Sequence, residues 1–145
     1  MCDEEANGIG DIVPDDRVIY RACSRSNFLT SAKDAVREIA FQKDGRNHKD
    51  GLSLALSPAE SIRYLEKNHG IIRISVGEIH QLGRGLEVRY DTATPLHVLI
   101  RNLPCMDRTS GEKELAIAVS AELAMKAQIE SASSVPKSTP PAVDP

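Results

Sequence analysis

The sequence predicts a single-domain α+β protein. It should have a mostly antiparallel or mixed sheet of about five strands, helices packed on that sheet, and a long C-terminal helix. Three observations carry this expectation. Short β-branched runs with alternating polarity recur through the first hundred residues. The last two of these runs follow each other with only a turn between them, so strands and helices do not alternate strictly. A continuous helical pattern then occupies 111–130. A chain of 145 residues fits one domain.

Residues 1–16 read as an acidic, flexible leader, with Gly8, Gly10 and Pro14 interrupting any pattern. Arg17–Cys23 (RVIYRAC) is the first strand, and a polar stretch follows at 24–27. Residues 30–40 place Ala32, Ala35, Val36 and Ile39 at helical spacing, with Thr30 or Ser31 as N-cap. The segment 38–42 (EIAFQ) fits a short strand as well. Lys43–Gly51 is a turn-rich loop, and LSLAL at 52–56 alternates with Leu52, Leu54 and Leu56 on one face. Ser57-Pro58-Ala59-Glu60 is a helix start: serine cap, proline in the first turn, glutamate able to close a capping box. Ile62 and Leu65 face the core, and Gly70 ends that helix. IIRISV (71–76) is a strand, 77–82 a helical turn, and LEVRY (86–90) and LHVLI (96–100) two strands joined at 91–95. In the long helix, Thr109 or Ser110 caps and Leu115, Val119 and Leu123 form one stripe. The Pro- and Ser-rich residues 131–145 read as a disordered tail. The domain is thus expected over 17–130.

Composition narrows the class of function. Hydrophobic residues make up 41% of the chain, but there are only two Phe, three Tyr and no Trp, so the core must be aliphatic. The same scarcity counts against nucleic-acid binding by base stacking. The leader carries six acids and no Lys or Arg, leaving residues 17–130 with 17 basic and 14 acidic side chains. Cys2, Cys23 and Cys105 are an odd, sparse set without C-x-x-C spacing, which argues against a disulfide framework and fits a reducing compartment. No apolar run approaches a membrane span, and the N-terminus resembles neither a secretory signal nor a transit peptide. The expected location is the cytoplasm.

Candidate chemistry lies on the strands' polar positions. If the apolar faces point inward, Arg17, Arg21, Ser53, Arg73, Ser75, Glu87, Arg89, His97 and Arg101 share the opposite face. This is either the wet face of a half-covered sheet or a cleft for phosphate or pyrophosphate, which the planar fork of arginine suits. His97 stands out because its strand is otherwise apolar. His48, His69 and His80 lie in a loop, near a helix end and in a turn. None has metal-ligand spacing, so no metal is expected. Neither Cys23 nor Cys105 sits in a nucleophile motif.

The ordered arrangement of VIYRAC, then SLALSPAESIRYL, then IIRISV resembles the small ADP-ribosyltransferase fold, including its toxin-type members. The resemblance covers about 17–90. It implies NAD as cofactor, with Arg21 gripping the pyrophosphate, Ser53 or Ser57 holding the cofactor, and Glu87 as the carboxylate at the ribose, with Glu78 behind it. The chain departs from the family in having no Gln-x-Glu or Glu-x-Glu pair and no obvious aromatic to stack on nicotinamide. Glu87 and His97 are therefore the candidate catalytic residues, and Arg21, Ser53, Ser57 and Arg73 the candidate cofactor-binding residues. Two other readings stay open: a non-enzymatic module that meets a protein partner, and a nucleotide or nucleic-acid binder.

Overall fold

The computed structural model describes residues 4, 8–45 and 50–137. Seven strands form one antiparallel sheet: β1 (Ile9–Ile12), β2 (Val18–Ala22), β3 (Leu52–Ala55), β4 (Ile71–Ser75), β5 (Glu87–Asp91), β6 (His97–Arg101) and β7 (Gln128–Ser131). Their spatial order is β1-β5-β6-β3-β2-β4-β7. Three helices accompany them: α1 (Pro58–Ile62), α2 (Val76–His80) and α3 (Ser110–Lys126). The expected α+β class and the long C-terminal helix are present. Among the described residues, no helix is long and apolar enough to cross a membrane.

The sheet is two half-sheets joined at a narrow seam. β3 pairs with β6 from Leu52↔Ile100 to Ala55↔His97, and β2 pairs with β4 over five registers. β2 and β3, by contrast, meet only at Tyr20↔Ala55. Beyond that pair the strands diverge, and the backbone groups that would have completed the ladder must find other partners.

The main core lies on one face. Ile19, Leu52, Leu54, Ile72, Ile74, Val88, Val98 and Ile100 pack there with Val119 and Leu123 of α3. Helix α3 begins with Thr109, whose side chain accepts the Glu112 backbone N–H. It buries Ala116, Val119, Ser120, Leu123 and Ala124, whereas Leu115, expected in that stripe, is exposed. A second, small cluster of Ala22, Ile62 and Ile71 lies apart from this core, with Tyr20 and Leu65 against it. It seats α1, so helices cover both faces of the sheet.

Several local expectations are corrected. The stretch 30–40 is not a helix. Thr30 Oγ1 accepts the backbone N–H groups of Asp34 and Ala35, and Lys33 has φ 56°. The threonine side chain thus closes a turn in place of the helical ladder. A 3-10 turn at Glu38–Phe41 takes the place of the alternative strand at 38–42. Strand β1 lies inside the expected leader and pairs with β5. Glu4, also in that leader, is nearly enclosed, and its carboxylate bonds the buried Lys43 ammonium. Strand β7 takes the end of the expected helix and pairs with β4. The expected tail begins in order: Val135 exchanges two hydrogen bonds with the Asn68 side chain. Its last residues, 138–145, lie outside the described residues, as do Cys2 and His48. Cys105 is disulfide-bonded, so the case against disulfides, and the reducing compartment inferred from it, lose their ground.

Gly70 shows how tightly β7 is seated. Its φ is +129°, and a Cβ there would stand 2.3 Å from the Ser131 carbonyl oxygen. Gly70→Ala therefore needs both a strained backbone and displacement of β7. We expect a loss of at least ~2 kcal/mol in urea unfolding. A loss below about 0.5 kcal/mol would show that β7 contributes little to the fold.

Candidate functional site

The seam between β2 and β3 is where the polar residues converge. A cavity of about 310 Å³ is lined by Tyr20, Arg21, Ser24, Ser53, Ser61, Tyr64 and His97 with neighbouring apolar groups. Its floor follows from strand parity. Tyr20, Ala22, Ser53, Ala55 and His97 point to the α1 side, because Ile19, Leu52, Leu54 and Val98 take the main core. Helix α1 closes the other side. It starts where Ser57 Oγ accepts the Glu60 N–H at 3.1 Å, with Pro58 in its first turn. This brings Ser61 and Tyr64 over the opening.

Arg21 occupies the seam itself. By strand parity it belongs to the main-core side, not to the polar face on which the sequence pattern placed it. Its side chain bridges the gap between the half-sheets. Nε–H donates to the Ala40 carbonyl at 2.6 Å and Nη1 donates to the Ser53 carbonyl at 2.9 Å. The Ser53 oxygen is one of the backbone groups that divergence of β2 and β3 leaves without a strand partner. One face of the guanidinium lies over Phe28, 5.5 Å from the ring centroid. Among the described residues, no carboxylate is within ion-pair distance of Arg21. Burial lowers its pKa to about 10, while the nearby Cys23 acts weakly in the other direction. It remains protonated at neutral pH, a half-buried cation with no counter-charge among the described residues.

On the other side of Arg21 lies a second cavity of about 400 Å³, lined by Arg21, Ser24, Arg25, Phe28, Gln42, Lys43 and Met106 among others. Arg21 therefore stands at the junction of two hollows, one of which is also lined by Arg25 and by the carboxylate residue Asp44.

His97 is held among polar groups. Its Nδ1 is 3.4 Å from Ser53 Oγ, and its Nε2 is 3.3 Å from Glu60 Oε1. The second contact is close but off-line, so the buried Nε2 makes no hydrogen bond. Glu60 also meets Arg63 at 3.3 Å. The Tyr64 ring, 65% exposed at the cavity mouth, lies 5.9 Å from that of His97 and carries the Arg63 guanidinium 5.3 Å from its centroid.

The structure thus brings Arg21, Ser53 and His97 to one place and leaves the other candidates elsewhere. Ser57 is spent on capping α1. Arg73 sits on β4, bonded to Gln128 and Glu130 of β7. Glu87 pairs with Arg89 on β5 and stands opposite Arg101, four residues along β6 from His97, or about 13 Å at strand spacing. Glu78 lines a separate hollow with Arg73. Strand parity does put Ser53, Arg73, Ser75, Glu87, Arg89, His97 and Arg101 on one side of the sheet, with Arg21 the exception, but Arg89 and Arg101 are engaged there with Glu87 and Gly10, and with Asp50 and Glu4. Sequence reasoning missed Glu60 and Tyr64. Glu60 was legible only as a cap residue, and nothing local ties position 60 to position 97.

Cys23 is buried beside this site, and burial raises its thiol pKa to about 11, against a smaller opposing effect of Arg21. It is therefore a neutral thiol at pH 8. We expect no alkylation of Cys23 by iodoacetamide in the folded protein, with labelling appearing only in urea. Rapid labelling of Cys23 in the native state, read by mass spectrometry, would contradict its placement. Among the described residues, no group of three or more His, Cys, Asp or Glu is arranged to hold a metal ion. Comparison with protein-family models, with curated proteins and with solved structures returns no match to this chain.

Proposed function

We propose that the seam binds NAD, and that the chain acts as an ADP-ribosyltransferase-like protein that cleaves it. The observation that carries this reading is Arg21: a half-buried guanidinium with no carboxylate at ion-pair distance among the described residues, bordering two cavities. An enclosed charge without a partner is costly unless an anion completes it. A pyrophosphate at Arg21 would supply that anion. One nucleoside half would then occupy each hollow, one of them displacing Arg63 from the exposed Tyr64 ring and stacking on it. Ser53 and His97 would meet ribose hydroxyls.

The reading is tested by calorimetric titration of the protein with NAD while nicotinamide release is followed in the same samples. Saturable binding with release of nicotinamide supports it. Absence of binding at millimolar NAD would overturn it.

A second reading, a protein-interaction module, draws on a different observation. Leu115, Ile117 and Met125 of α3 are exposed, Met125 at 85%. That reading predicts no dependence on Arg21.

A further inference from the structure

Resting on the NAD reading, we infer that Glu60 and His97 form a carboxylate–imidazole dyad that takes the proton from an attacking water, making the cleavage hydrolytic. Glu60 is buried behind His97, away from the cavity, whereas His97 and Ser53 line it. The order from the protein interior to the ligand space is therefore carboxylate, imidazole, hydroxyl, with separations of 3.3 and 3.4 Å. A base oriented by a third group is the arrangement that general-base chemistry needs.

The surroundings also assign the tautomer. Nε2 is buried with a carboxylate as its polar neighbour, so it carries the proton. Nδ1 then presents its lone pair to Ser53 and the cavity. The off-line Nε2 contact is the unfinished part of this arrangement. A small rotation of the ring, as ligand displaces Tyr64 or Ser53, aligns Nε2–H with Glu60. Catalytic hydrogen bonds commonly tighten in this way on binding.

The step balances as follows. Water's oxygen forms a bond to ribose C1′, and its proton passes to His97 Nδ1, directly or through the Ser53 hydroxyl. The C1′–N bond breaks, and its electron pair stays on the nicotinamide nitrogen, neutralising the pyridinium. The products are ADP-ribose, nicotinamide and a proton held on the imidazolium, which the Glu60 carboxylate stabilises until solvent takes it. His97 is the catalytic residue of this step and Glu60 a positioning residue.

The experiment follows nicotinamide release against pH in the full-length protein, with NAD affinity measured in parallel by calorimetry. Wild-type protein should show a rate that rises to a plateau as the base is deprotonated. Glu60→Gln should bind NAD within about threefold of wild type. It should release nicotinamide roughly 10- to 100-fold more slowly, with the acidic limb moved to lower pH. The shift is the readout that a merely structural glutamate would not produce. His97→Gln should lose the acidic limb altogether, and it keeps the test open should the first variant fold poorly. An unchanged rate and profile in either folded variant, with NAD still bound, would overturn the dyad alone. Failure of the wild-type protein to bind NAD would overturn the dyad and the NAD reading together.

Discussion

Lys43→Met is expected to lower the stability of the full chain by about 3–5 kcal/mol. The Lys43 side chain has no exposure and that of its partner Glu4 only 5%, so their charges depend on each other. Removing the ammonium leaves the Glu4 carboxylate enclosed. The Asn102 N–H at 2.7 Å and Arg101 Nε at 3.5 Å still hold it, which favours the lower end of the range. The backbone around Lys43 is fixed independently: Met106 N–H donates to the Lys43 carbonyl, and Lys43 bridges to Cys105. The substitution therefore tests the ion pair rather than the path of the chain. Adding Glu4→Gln removes the orphaned charge while leaving an oxygen for Asn102. It should recover more than half of the loss, and the non-additivity can be measured as a double-mutant cycle by urea unfolding. A Lys43→Met cost below about 1 kcal/mol would mean that Glu4 does not pair with Lys43 in solution.

The second large effect is on ligand binding. Arg21→Met should weaken NAD binding by about 100-fold or more, the scale seen when one member of an enclosed charged pair is truncated. Its effect on stability should be much smaller, because two consequences oppose each other. The variant loses the hydrogen bonds to the Ala40 and Ser53 carbonyls, worth about 1–3 kcal/mol each when such groups are left dry. It also removes a half-buried cation that has no counter-charge among the described residues. Water entering the adjoining cavities can satisfy part of what is lost. A variant that keeps most of its stability yet loses the ligand is what an anion anchor predicts. A purely structural arginine predicts loss of stability first.

The sequence made the central strands readable because their signal is local. Leu52, Leu54, Ile72, Ile74, Val98 and Ile100 recur at alternate positions along their strands, and each falls in the main core. The edge strands gave no such signal. IGDI and QIES are four residues long, each with polar or glycine positions, and they form strands because β5 and β4 offer open edges. Residues 30–40 had helical spacing, but the Thr30 side chain competed for the backbone donors of the first turn. Glu4 was legible as an acid in an acidic leader, and only the tertiary fold turns it toward a lysine 39 positions away. The candidate site divides in the same way. Arg21, Ser53 and His97 could be chosen from strand patterns, although Arg21 was assigned the wrong side of its strand. That parity error follows from the splayed seam, which makes room for a charged side chain among core positions. Glu60 and Tyr64 reach the site through the packing of α1 across the sheet, and no spacing rule encodes that.

The central claim is that Arg21 is the anion anchor of an NAD-binding seam. Its most direct test is calorimetric titration of the wild-type protein and Arg21→Met with NAD, side by side, in the same buffer. The account predicts saturable binding by the wild type and a loss of about 100-fold or more in the folded variant. Equal affinities in the two proteins, or no binding by the wild type at millimolar NAD, would contradict it.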